Sequence, residues 1–150
     1  MPAIYFDMDG TIANFYGVDG WLDYLRNEDT TPYDVAAPLV NPAQFCDIIS
    51  KLKSNNFIVG IISWSAMNGS KEYNKAVRNA KKQWIINNFG NIFDEFHVVK
   101  YGTPKHQVAK IKDSIIVDDD VRVRNAWKNG ATIDANNCDE MMETLELLAA

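Results

Sequence analysis

The stretch Ala3-Ile4-Tyr5-Phe6-Asp7-Met8-Asp9-Gly10-Thr11 sets a short apolar run directly against two carboxylates, a glycine and a hydroxyl. Four successive apolar positions containing β-branched and aromatic side chains read as a strand buried on both faces of a parallel sheet. Asp7 and Asp9 then fall two apart where that strand ends, and Gly10 lets the chain bend sharply. The two carboxylates therefore come close without being equivalent. Such a pair divides labour, one acid acting as nucleophile and the other as proton donor, when their surroundings separate their pKa values. An aspartate nucleophile suits phosphoryl transfer through an aspartyl-phosphate that water later hydrolyses. An isolated Asp-x-Asp is common in solvated turns. Followed by Gly-Thr, the pattern arises by chance in roughly 1 in 1,000 chains of this size.

Further along, three more runs have the same character: 57–62, 96–99 and 114–117. Between them lie helical patterns. Pro42 opens one carrying Phe45, Ile48, Ile49 and Leu52; a second carries Ala76, Ala80, Trp84 and Ile85 and stops near Gly90. A third begins around Pro104 and carries Val108 and Ile111. A fourth carries Val123, Ala126 and Trp127 and ends at Asn129-Gly130. A short run at 131–133 and a final helix from about Asp139 close the chain. Strand alternating with helix predicts a three-layer α/β fold, a mostly parallel sheet with helices on both faces. Right-handed crossovers put the strand C-terminal ends on one edge, where ligands bind in such sheets.

The residues at those ends are Asp7 and Asp9, Ser63 and Ser65, Lys100 or Lys105, and Asp118 and Asp119. Asp118-Asp119-Asp120 follows Ile115-Ile116-Val117, and three adjacent carboxylates at a strand end call for a cation. Mg²⁺ takes oxygen ligands, is held by one or two carboxylates plus substrate phosphate, and would offset charge between an anionic nucleophile and an anionic substrate. One of the three, Asp120, also suits the start of the following helix. Ser63 offers a hydroxyl and neighbouring backbone N–H groups to a phosphate oxygen, with Ser65 as a second hydroxyl in reach. Lys105 stands at a helix start, a poor place for a cation, which suits charge compensation of phosphate and Asp7 instead. Lys100 is its competitor. His97 and His106 read as structural.

Residues 14–40 exceed a normal connection and carry Gly17, Gly20, Pro32, Pro38 and the aromatic patch of Trp21 and Tyr24. They read as a small flap or lid over the strand ends.

The bulk numbers fit one globular domain: 150 residues, 47% hydrophobic and 23% charged. A net charge of −5 argues against a broad basic nucleic-acid surface, though not against a nucleotide or strand end at a local site. Cys46 and Cys138 have no metal-ligand spacing and read as buried thiols. No signal-peptide pattern and no apolar run of about 18 residues is present, which predicts a cytoplasmic protein without a membrane span.

Taken in order, Asp7-Met8-Asp9-Gly10-Thr11, Ser63 ending an apolar strand, Lys105, and Asp118-Asp119 after Ile-Ile-Val resemble the haloacid dehalogenase (HAD) superfamily of phosphohydrolases. The resemblance covers almost the whole chain. It implies a HAD fold with a reduced cap and a Mg²⁺-dependent phosphomonoester hydrolase. Asp7 is then the nucleophile and Asp9 the acid and base, with Thr11 orienting Asp9. Ser63 and Lys105 hold the phosphate together with Thr11. Mg²⁺ is bound by Asp7, the backbone carbonyl of Asp9, and Asp118, with Asp119 in support. Asp9, where threonine would point to other branches, implies a phosphatase and not a dehalogenase; Asp120 makes the last motif a triplet and leaves its register open by one.

Within the superfamily, the Tyr73-to-Trp84-to-Phe89-Gly90 helix resembles small 5′(3′)-deoxyribonucleotidases. Gly69-Ser70-Lys71-Glu72-Tyr73, Asn41-Pro42 and the Trp127 helix resemble the 3′-phosphatase domain of phage polynucleotide kinases. The implied substrate is a nucleotide or similar small phosphorylated metabolite, with Trp21, Trp64 and Tyr24 available to stack on a base. The alternatives are a polynucleotide 3′-phosphatase acting on nucleic-acid ends and a non-catalytic phosphate-binding protein. No protein partner is implied.

Overall fold

The computed structural model describes residues 1–150. Five strands, β1 (Ala3–Phe6), β2 (Ile58–Trp64), β3 (Glu95–Val99), β4 (Ser114–Asp118) and β5 (Thr132–Asp134), form one sheet in the order β3-β2-β1-β4-β5. Every pairing is parallel. The chain builds outward from β1 through β2 to β3, then returns to lay β4 against the other side of β1. The reversal of strand order therefore falls beside β1, where open α/β sheets bind ligands.

Seven helices complete the fold: α1 (Trp21–Arg26), α2 (Thr31–Val35), α3 (Pro42–Ser54), α4 (Lys71–Phe89), α5 (Lys105–Val108), α6 (Val121–Ala126) and α7 (Cys138–Ala149). Alternate residues of β1 point to opposite faces. Ile4 and Phe6 meet Phe45, Ile48, Ile49 and Leu52 of α3, Trp84, Ile85 and Phe89 of α4, and Met141, Met142 and Leu145 of α7. Ala3 and Tyr5 meet Ala109, Val123 of α6 and Trp127. This is an α/β Rossmann-like sandwich, and it explains why β1 reads as unbroken apolar sequence. Each fully buried large side chain contributes about 1.5–3 kcal/mol.

The helix ends follow local chemistry. Asn41 accepts a hydrogen bond from the Gln44 N–H (3.0 Å) ahead of Pro42, and Ser70 accepts from the Tyr73 N–H (3.1 Å). Two helices are shorter than their sequence pattern predicts. α5 ends at Val108, and the Ile111 N–H donates to the Tyr5 hydroxyl (3.1 Å) instead of extending the helix. α6 ends at Ala126, because Trp127 turns its indole N–H to the Ser114 carbonyl (3.1 Å) and packs on the sheet. β2 runs two residues beyond the expected 62, since Ser63 and Trp64 pair with Val98 and Val99.

Residues 14–40 form a 3₁₀ turn (Phe15–Gly17), α1 and α2. Phe15 and Tyr33 pack with Ala66, Tyr73 and Val77. The segment is tied to α4 by Tyr73 Oη donating to the Asp29 carbonyl (2.8 Å) and Trp84 Nε1 to the Ala36 carbonyl (2.7 Å). Its ends close on themselves through Asn14 N–H to Ala37 and Leu39 N–H to Ile12, both 2.8 Å.

Candidate active site

Asp7 follows β1, and its N–H donates to the Val117 carbonyl of β4 (2.9 Å), so the sheet ladder itself delivers the carboxylate to the switch point. Gly10, with φ +82°, turns the chain away. A Cβ there would sit 2.5 Å from Asp119 Oδ2, so only glycine lets this turn lie against the acidic pair. Thr11 Oγ1 then points back, 3.3 Å from Asp7 Oδ2 and 3.1 Å from Asp119 Oδ1. It bridges those two carboxylates and makes no bond to Asp9, unlike the orientation expected of it from sequence.

Lys105, 4% exposed at the start of α5, reaches Asp7 Oδ1 at 2.9 Å and Asp118 Oδ2 at 2.7 Å. Burial alone would lower its pKa, but Asp7 and Asp118 outweigh that and hold the ammonium at about 12. Lys100 is exposed, with its carbonyl accepting from Thr103, and stays outside this group. Of the two serines, Ser63 is 1% exposed and faces the cleft, whereas Ser65 spends its hydroxyl on the Val99 carbonyl (2.9 Å).

The acidic triplet divides. Asp120 caps α6, accepting from the Arg122 N–H at 2.9 Å and pairing with its guanidinium at 2.7 Å. Asp118 and Asp119 turn inward, and their carboxylate oxygens and one from Asp7 lie within 4.8 Å of one another. Burial, reinforced by the charge of Asp7, pushes Asp118 up to about 7 and Asp119 up to about 8. Lys105 opposes this at Asp118; Asp119 has no cationic partner. Three crowded carboxylates with one ammonium leave a negative site of oxygen donors, the donor set a hard divalent cation takes. The residues fit such an ion.

Sequence reading missed Lys81. It lies mid-way along α4, 1% exposed, with its ammonium 3.0 Å from Asp9 Oδ2, 2.6 Å from Ser63 Oγ and 2.8 Å from the Trp64 carbonyl. The signal was present: Val77, Lys81, Trp84 and Ile85 share one helical face, which sets a lysine in the apolar stripe. Burial pushes the Asp9 carboxyl up, Lys81 opposes that, and Asp7 adds to it. His97 pairs with Glu95 (2.8 Å) on β3, away from these groups.

Above the carboxylates opens a cleft of about 680 Å³. Tyr16, Trp21, Trp64 and Tyr101 line it, with Arg26 and Arg122 among its cations. Trp64 packs against Tyr101 with ring centres 4.9 Å apart and planes tilted by 56°, and it covers the Lys105 ammonium at 5.2 Å. Tyr24 is exposed and is not among the cleft residues. No helix is long and apolar enough to cross a membrane.

No protein-family model matches the chain, and no curated protein matches it. Three solved structures are similar in fold. One is D,D-heptose 1,7-bisphosphate phosphatase from Burkholderia thailandensis, at 13% identity and a TM-score of 0.57, covering 100% of both chains. The enzyme of that name from B. bronchiseptica, complexed with magnesium and phosphate, is 13% identical with a TM-score of 0.52, over 84% of this chain and 74% of its own. A Mesorhizobium loti protein named as HAD-like phosphatase is 16% identical with a TM-score of 0.56, over 99% and 87%. The chain thus has the fold of HAD-like phosphatases.

Proposed function

We propose that this chain is a Mg²⁺-dependent phosphomonoester hydrolase working through an aspartyl-phosphate on Asp7. The observation that carries this reading is Asp7 itself. It is a buried carboxylate at the end of the central strand, oriented by Thr11 and Lys105, beside two further acids and below an open cleft. The fold neighbours, one of them a complex with magnesium and phosphate, agree with it.

In this reading Asp7, Asp118 and the Asp9 carbonyl hold Mg²⁺, with Asp119 in support. The ion supplies neutralisation of phosphate charge. Asp7 attacks phosphorus in line while the bond to the leaving oxygen breaks, and Asp9 gives that oxygen a proton. Water then attacks the aspartyl-phosphate, losing its proton to Asp9, and inorganic phosphate leaves with Asp7 restored. Lys105 and the Ser63 hydroxyl hold the phosphoryl oxygens. Burial pushes the Asp9 carboxyl up from the ordinary carboxylate range, the direction that suits a group giving a proton in one step and taking one in the next.

The substrate we infer is a nucleotide or a phosphorylated metabolite of similar size, with residues 14–40 acting as a small lid. Support comes from the aromatic walls Tyr16, Trp21 and Trp64, since every base offers a face to stack. Two free thiols, Cys46 and Cys138, suit an intracellular setting. Hydrolysis of p-nitrophenyl phosphate with Mg²⁺, lost on EDTA addition and in Asp7→Asn, tests the reaction; no turnover of any phosphomonoester sinks it. A panel of 5′- and 3′-mononucleotides, sugar phosphates and 3′-phosphorylated oligonucleotides tests the substrate. Faster hydrolysis of the oligonucleotide than of every mononucleotide would make the chain a polynucleotide 3′-phosphatase instead.

A further inference from the structure

We infer that Lys81 is a positioning residue for Asp9, fixing the acid–base carboxylate so that it can protonate the leaving oxygen. This rests on the phosphatase reading above. Lys81 rises from α4, behind the site, and does not touch the space a substrate would fill. Its ammonium has three N–H donors, and all three are spent: on Asp9 Oδ2 (3.0 Å), Ser63 Oγ (2.6 Å) and the Trp64 carbonyl (2.8 Å). Tyr33 of the lid segment closes the remaining side, its ring centre 5.2 Å away. A cation with every donor used and 1% exposure has one geometry available to it.

Two consequences follow for the site. Asp9 Oδ2 is held, so Oδ1 is left to face the leaving oxygen. Ser63 Oγ accepts from Lys81, so its own O–H remains free to donate into the cleft. Removing the ammonium would let the Ser63 hydroxyl donate to Asp9 or to the Trp64 carbonyl, and would leave the Asp9 carboxyl free to rotate. Asp9, at 3.0 Å, is the one ion-pair partner of this buried lysine, and the bonds to Ser63 and Trp64 satisfy its other two N–H donors. The arrangement mirrors Lys105, which grips Asp7 and Asp118 from the opposite face of the sheet. Each aspartate of the Asp7-x-Asp9 pair thus has its own buried ammonium.

A positioning role separates from a merely structural one by its dependence on the leaving group. Nitrophenolate leaves with little help from an acid; an alkoxide needs the proton. We therefore compare kcat/KM for p-nitrophenyl phosphate and for glycerol 2-phosphate, in Mg²⁺-loaded wild type, Lys81→Met, Asp9→Asn and the double variant. Lys81→Met is expected to lower kcat/KM for glycerol 2-phosphate by roughly 100-fold, the scale of a general acid, and for p-nitrophenyl phosphate several-fold less. In the Asp9→Asn background the same substitution is expected to lower both substrates by one common factor. Equal losses on the two substrates in the wild-type background would overturn the inference. If Lys81→Met does not fold, Lys81→Gln is compared in its place and judged by the same unequal or equal loss. Wild type that hydrolyses neither substrate would overturn the phosphatase reading itself, and the inference with it.

Discussion

At the strand ends Asp7, Lys105 and Asp118 are buried and exchange charged hydrogen bonds of 2.7 and 2.9 Å. Across the same cleft, Tyr16 and Leu22 of residues 14–40 stand exposed, and Gly20 opens α1 with no side-chain cap. The floor is set by the sheet. Asp7 is placed by the β1–β4 ladder and Asp118 by the last residue of β4, so neither moves without the core moving. The roof is held to α4 by the buried packing of Phe15 and Tyr33 on Tyr73 and Val77 and by hydrogen bonds, among them Tyr73 to Asp29 and Trp84 to Ala36. A floor of fixed charges suits chemistry common to many substrates. A roof of aromatic faces on short helices suits the choice of one.

That contrast can be broken from the floor upward. Asp7→Asn removes the proposed nucleophile and is expected to lower kcat at least roughly 10⁴-fold with the fold retained, as measured by steady-state kinetics and circular dichroism. A smaller loss would mean that another group takes the phosphoryl. Lys105→Met strips Asp7 and Asp118 of their buried ammonium and is expected to destabilise the metal-free protein by about 3–5 kcal/mol in urea titration. Added Mg²⁺ should restore part of that loss.

Mg²⁺ binding to the crowded carboxylates should stabilise the wild-type fold in the same assay. At a concentration 100-fold above its Kd the gain is about 2.7 kcal/mol, and EDTA reverses it. Ca²⁺, larger and less strict in geometry, tests whether the site selects by size. The smallest effect belongs to the roof. Tyr16→Ala is expected to raise KM for the preferred substrate by a factor of roughly 5 to 150 if the ring stacks on a base, leaving hydrolysis of p-nitrophenyl phosphate close to wild type. A loss of kcat on both substrates would erase the distinction between floor and roof.

Legibility followed the same division. The strands were readable because β1, β2 and β4 are buried on both faces, so each carries a run of successive apolar residues such as Ile61-Ile62 and Ile115-Ile116-Val117. α3 and α4 were readable because Pro42 opens the first, Gly90 stops the second, and each carries apolar residues at helical spacing. α5 and α6 were overextended, since nothing in the helical pattern reveals that Ile111 will bond to the Tyr5 hydroxyl or Trp127 to Ser114. Ser65 read in sequence as a second hydroxyl in reach beside Ser63, and only the β2–β3 edge shows its hydroxyl committed to Val99.

The sequence by itself determined the layered fold and the clustering of Asp7, Asp9, Ser63 and Asp118 at one sheet edge. The physical reason is that strand direction and crossover hand follow from the alternation of patterns, and residues at strand ends inherit their place from the backbone. Only the tertiary structure decided which side chain meets which. It joined Thr11 to Asp119, Lys105 to Asp7 and Asp118, and carried Lys81 from mid-helix to Asp9. Those pairings depend on how helices from distant parts of the chain pack on the sheet, and no local spacing encodes them.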